Sequence, residues 1–210
     1  MSRYAKLTAG LLGLWFVFSL AAGARHLYDN GPNQPPLNLG LAVLTPMILF
    51  AVWFAGSSAF REFTLSLNPR VLTMIHGWRT AGLAMVALGA YGVLPNLFAL
   101  SAGYGDIVIG LTAFLVALNL ANPEHRGSFI LWQLLGVADL VNAVMLGTLS
   151  HIIDPHGIPT SAMTVLPMSL IPTFGVPLLL ILHIISIAQA LRWPKRHVAA
   201  VREPLRSASF

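Results

Sequence analysis

Residues 128–150 read SFILWQLLGVADLVNAVMLGTLS, and Asp139 is the only charged residue in those 23 positions. Coiled as an α-helix the stretch extends about 34 Å, enough to cross a hydrocarbon core roughly 30 Å thick. Working outward from it, five further apolar segments lie at 7–24, 39–60, 71–93, 104–121 and 164–191. The spacing predicts an all-α polytopic membrane protein. It is a single domain over 1–210, a bundle of about six transmembrane helices with a short basic tail at 192–210.

Composition supports this class. The chain is 56% hydrophobic and only 9% charged. A soluble domain carries roughly 25% charged residues, so too little charge remains to dress a water-facing surface. Cysteine is absent, which excludes disulfides, thiolate metal sites and cysteine nucleophiles. The net charge of +5 does not point to nucleic acid, because the basic residues lie just outside the apolar segments. The breaks are turn chemistry: Asn30-Gly31-Pro32 with Pro35-Pro36, Asn68-Pro69, Asn122-Pro123, and Asp154-Pro155-His156-Gly157. Residues 93–103 are only mildly polar and are expected to lie at the interface.

Lysine and arginine set the orientation. With the N-terminus in the cytoplasm, the inside segments hold Arg3, Lys6, Arg61, Arg70, Arg126, Arg192, Lys195, Arg196, Arg202 and Arg206, and the outside holds only Arg25. Both termini are therefore expected on the cytoplasmic side. The first segment also resembles a signal peptide, with Ala22-Gly23-Ala24 as a cleavage site. We read it as a retained helix, since removal leaves five spans and puts the termini on opposite sides.

Ionisable and amide side chains inside the spans carry the functional signal, because each is costly in lipid and needs protein or water beside it. Six need comment: His76, Arg79, Asp106, Gln133, Asp139 and His183. Counted from the expected cytoplasmic ends, Arg79 lies roughly 12 Å in, Asp139 roughly 16 Å, His183 roughly 12 Å, and His76 and Gln133 roughly 8 Å. Asp106 falls at the outer start of the fourth segment. It is read there as a helix cap, or as an outer vestibule that attracts cations. His76 with Arg79, Asp139 with Asn142, and His183 with Ser186 are each i, i+3 pairs, so three helices offer one polar stripe apiece. Gly136 and Gly147 leave the Asp139 face partly lined with small residues, which favours close helix approach.

Arg79 and Asp139 are expected to pair at mid-depth. The plain structural alternative is an ion pair that only fixes which helices pack together. For His76 and His183 the readings are proton relay, metal ligand or haem b ligand, against a histidine simply bonded to a carbonyl or serine. Pro167, Pro172 and Pro177 break the sixth segment and free backbone carbonyls, which can bind an ion or water where they line a cavity. Trp78 to Gly82 and Trp132 to Gly136 share W-x-x-x-G, too short a likeness to establish an internal repeat.

No P-loop, dinucleotide fingerprint, H-E-x-x-H zinc motif or G-x-S-x-G elbow occurs, and no lysine lies in the third to sixth segments to carry a retinal Schiff base. A non-enzyme is favoured and no cofactor is assigned. The string His76-Gly77-Trp78-Arg79, Leu94-Pro95, Phe98-Ala99, Gly105-Asp106, Gly110-Leu111-Thr112-Ala113, with 136–147 and 171–183, resembles a group of small bacterial membrane proteins of no known activity. The resemblance covers roughly 68–190 and implies a bacterial inner membrane. Three functions stay open: a small transporter or channel for a solute or ion, possible homo-oligomer included; a haem b or metal-binding redox protein; and a non-catalytic assembly subunit. The expected partners are the lipid bilayer and a small solute or ion, not nucleic acid.

Overall fold

The computed structural model describes residues 3–29 and 37–194; Asn30-Gly31-Pro32, Pro35-Pro36, Lys195, Arg196, Arg202 and Arg206 lie outside them. The described chain is helical throughout, with no strand, and six of its helical stretches are long and apolar enough to cross a membrane. The first two spans are α1 (Arg3–Ala24) and α2 (Leu37–Gly56), and a short helix α3 (Ser58–Leu65) follows. The third span, Pro69–Ala90, is composite: α4 (Pro69–Ile75), a 3₁₀ stretch (His76–Ala81) and α5 (Gly82–Ala90). The fourth is α6 (Asn96–Asn119) and the fifth contains α7 (Arg126–Ile153). The sixth joins a π-helical turn (Ile171–Gly175) to α8 (Val176–Arg192).

Three boundaries differ from expectation, each for a local reason. The second span stops at Gly56, not at residue 60. Ser57 accepts a hydrogen bond from Phe60 N at 3.2 Å and caps a new helix. Arg61 reaches back to Phe54 O and Ala55 O and satisfies carbonyls that the ended helix leaves free. An aromatic cluster fixes this corner: Trp53 stacks on Phe60 at 3.8 Å, and Tyr4 of α1 lies 6.0 Å from Phe63.

The fourth span begins at Asn96, eight residues before the expected 104, so most of the segment assigned to the interface is helix. Two glycines of α6 are there for contact. A Cβ on Gly103 falls 2.7 Å from Val86 Cγ2 and 2.9 Å from Gly82 O. One on Gly110 falls 2.5 Å from Thr80 N. Only glycine lets α6 lie this close to the third span.

The sixth span begins only at Ile171, whereas the sequence suggested 164. Pro177 has no N–H to offer Thr173 O, its partner four residues back. Two side chains of α1 take that carbonyl instead: Trp15 Nε1 donates at 3.1 Å and Ser19 Oγ at 3.5 Å. Trp15 and Phe16 also pack on Phe174, with ring centroids 4.7 and 5.2 Å apart. The carbonyl that proline frees at Thr173 thus anchors α1 rather than an ion.

The third, fifth and sixth spans meet in an apolar core of Leu72, Leu140, Val176, Leu179, Leu180, Leu182 and Ile185. A second cluster, of Met85, Leu94, Phe98, Ala99, Ala102 and Met163, closes the end where α5 turns into α6. The perimeter is apolar as well: Leu14, Phe18, Leu41, Val52, Val108 and Leu111 are all exposed, a surface suited to lipid rather than water.

Candidate functional site

Arg79 sits in the 3₁₀ stretch that interrupts the third span, and it is 2% exposed. All three of its guanidinium nitrogens are engaged. Nε donates to Asp106 Oδ1 at 2.6 Å, and Nη2 donates to Asp139 Oδ2. Nη1 donates to Gly136 O at 3.3 Å and meets His183 Nε2 at 3.3 Å. One cation therefore ties together the third, fourth, fifth and sixth spans.

The pairing expected with Asp139 is present. The reading of Asp106 is corrected. Because α6 starts at Asn96, Asp106 lies about 15 Å along it, at mid-depth with Arg79, and caps nothing. It shares its face with Ala99, Ala102, Ile109, Gly110 and Ala113, all buried. Its side chain is 21% exposed and that of Asp139 15%.

Donor logic fixes the histidine. Arginine has no acceptor, so His183 Nε2 must carry the lone pair that Arg79 meets, and Nδ1 must carry the proton. Nδ1 donates to Gln133 Oε1 at 2.5 Å. Gln133 Nε2 donates to Thr73 Oγ1 at 3.3 Å, and Thr73 Oγ1 donates to Pro69 O at 2.8 Å. The chain runs one way from a guanidinium to a carbonyl and holds His183 neutral in a single tautomer. His76, Gln133 and His183 are each 0% exposed.

Glycine again makes the room. A Cβ on Gly136 collides with the His183 ring and lies 3.3 Å from Arg79 Nη1; one on Gly105 collides with the Asp139 carboxylate. Gly147, two turns beyond Asp139 on the same face, lies against Phe98 of α6: a Cβ there falls 3.2 Å from that ring, the close helix approach expected of this small-residue face.

The remaining expected residues separate. Asn142 donates to Ser101 Oγ at 2.8 Å, one turn beyond Asp139. Ser186 is buried on the His183 side of α8, and its hydroxyl has no partner among the described residues. Thr73, Ser101 and Gln189 belong to the polar set and drew no attention in the sequence. Thr73 and Ser101 are unremarkable in a helix. Gln189 stands near a helix end, yet it donates to the carbonyls of Thr64, Leu65 and Leu67, at 3.4, 3.2 and 2.7 Å.

The two histidines do not fit a shared haem. Two imidazoles on one iron face each other nitrogen to nitrogen, about 4 Å apart across the macrocycle. His76 and His183 instead stack ring on ring, with centroids 3.8 Å apart and planes 22° apart. No macrocycle fits between rings in contact, and both nitrogens of His183 are already bonded. Among the described residues no group of three or more histidine or acidic side chains is placed to hold a metal.

Residues 35–191 match the model of a family described as a domain of unknown function (DUF8737), and the chain belongs to that family. The matched region takes in the whole ionic cluster and leaves out α1. No curated protein and no solved structure matches the chain.

Proposed function

Starting from a family with no assigned activity, we propose that this protein is a small proton-linked transporter or channel of a bacterial inner membrane. Its ion site is Arg79 with Asp106 and Asp139, and both termini lie in the cytoplasm. One observation carries the reading: a single buried arginine faces two carboxylates at mid-depth. With both carboxylates ionised the cluster carries one net negative charge, since His183 is held neutral. An uncompensated charge at that depth is costly, and a proton or a small cation removes the cost. A purely structural ion pair needs one carboxylate, not two.

Two further features support the reading. The carboxylates are the only partly open members of the cluster. The spans that hold Arg79 and His183 are also both irregular, one by a 3₁₀ stretch and one by a π-helical turn. The 3₁₀ break lies at the site itself, and a helix interrupted at a mid-depth polar site is how secondary transporters build their ion sites. The orientation rests on Arg3, Lys6, Arg61, Arg70, Arg126 and Arg192 at one end of the bundle against Arg25 at the other.

The test is proton flux. Full-length protein is reconstituted in liposomes holding a pH-sensitive dye, and a membrane potential is set with potassium and valinomycin. Proton entry should exceed that of protein-free liposomes and be lost in Asp139→Asn and in Asp106→Asn. Equal rates in wild type and both variants would overturn the proposal.

A further inference from the structure

We propose that the ionic site communicates with the arginine-rich end of the bundle along the seam between α4 and α8, a narrow path for water and protons. The opposite end is sealed by apolar packing. The inference rests on the transport reading for its purpose, though not for its geometry.

The seam is defined by two contacts. His76 stacks on His183 at 3.8 Å, and Gln189 Nε2 bonds to Leu67 O at 2.7 Å. α4 and α8 run antiparallel, so Ser186, midway between His183 and Gln189, falls level with Leu72 and Thr73. His183, Ser186 and Gln189 form an inclined i, i+3 row on α8.

That row collects unsatisfied polar atoms. His76 Nδ1 and Nε2, Ser186 Oγ and Gln189 Oε1 are buried and have no partner among the described residues. His76 and Ser186 are 0% exposed and Gln189 is 5% exposed. Each such group is costly if it stays dry and unpaired. The other buried hydroxyls without partners belong to Thr8, Tyr28 and Ser169, on or against the first span and away from the ionic site. Below Gln189 the row ends in an open recess of about 330 Å³ lined by Glu62, Ser66, Gln189 and Arg192. Polar groups therefore continue from that recess to the imidazoles beside Arg79.

The other direction differs. Beyond Asp106 lie Met85, Leu94, Phe98, Ala102 and Met163, an apolar plug, and the polar pair there, Asn142 and Ser101, is satisfied internally. A recess near Asp29 and Ser161 at that end is separated from the carboxylates by this plug.

The chain has no cysteine, so single introduced thiols report accessibility without background. Full-length Ser186→Cys and Ala102→Cys proteins in lipid nanodiscs, with both faces open to solution, are treated with a cationic, membrane-impermeant methanethiosulfonate. Ser186→Cys should be modified at least about tenfold faster, because opening of a hydrated seam, not global unfolding, admits the reagent. If Ser186→Cys does not fold, Leu72→Cys at the same level takes its place. A seam thiol that is inert, or no faster than Ala102→Cys, overturns the proposal. Fast labelling without proton flux removes the transport reading and leaves the seam, whereas flux with an inert seam thiol does the reverse.

Discussion

Arg79 is the residue on which the core of the bundle closes. Four of its five N–H groups meet two carboxylates, a carbonyl and an imidazole nitrogen, on three helices besides its own. Replacing it with an apolar side chain strands two buried carboxylates. Arg79→Met should lower stability by about 3–5 kcal/mol, read as a fall in the unfolding midpoint in detergent. The triple variant Arg79→Met/Asp106→Asn/Asp139→Asn should recover much of the loss, because no charge is then left unpaired. A triple variant as unstable as Arg79→Met alone would mean that packing, not charge, holds the site. Gly136 gives a second prediction at this scale. Gly136→Ala pushes a methyl into the His183 ring and should cost about 1–3 kcal/mol. Gly127→Ala, with nothing within 4 Å of its would-be Cβ, should be near neutral in the same melt.

At the scale of elements, breaks in regular helix lie at or beside the polar groups. The third span tightens to 3₁₀ where it carries His76 and Arg79, and the sixth loosens to a π-turn where Pro177 frees Thr173 O. α1 answers the second break with Trp15. Trp15→Phe keeps a ring against Phe174 but loses the N–H, and should cost about 1 kcal/mol in the unfolding midpoint. No change, or a loss as large as that from Arg79→Met, would show that the hydrogen bond is not what holds α1. Span existence was legible in the sequence because long apolar runs leave few alternatives. The fourth span's start was not. Pro95 and Gly103 look like loop residues; Pro95 stands at the N-cap of α6, and only a neighbouring helix explains Gly103 as a contact point. Asp106 was misplaced for that reason alone, since a helix counted from 104 puts it at a terminus. Arg79 with Asp139 was legible from depth. The His183–Gln133–Thr73 chain was not, because helix rotation, unlike depth, is set by packing.

For the whole molecule, the proposed orientation rests on the arginine-rich end of the bundle. A reporter fused after Phe210 should be active only in the cytoplasm, and activity in the periplasm would reverse the assignment. Within that frame the site is asymmetric: an open-ended polar seam on the arginine-rich side, and an apolar plug on the other. The central claim is that the cluster of one arginine and two carboxylates takes up a proton. Infrared spectroscopy of the purified protein in lipid tests it without knowledge of any substrate. Across a pH titration, wild type should gain a protonated-carboxyl C=O component that is missing from Asp106→Asn/Asp139→Asn, whose spectrum keeps only the bands of the other five acidic side chains and the C-terminus. Spectra of wild type and double variant that are the same in this region at every pH would contradict the account.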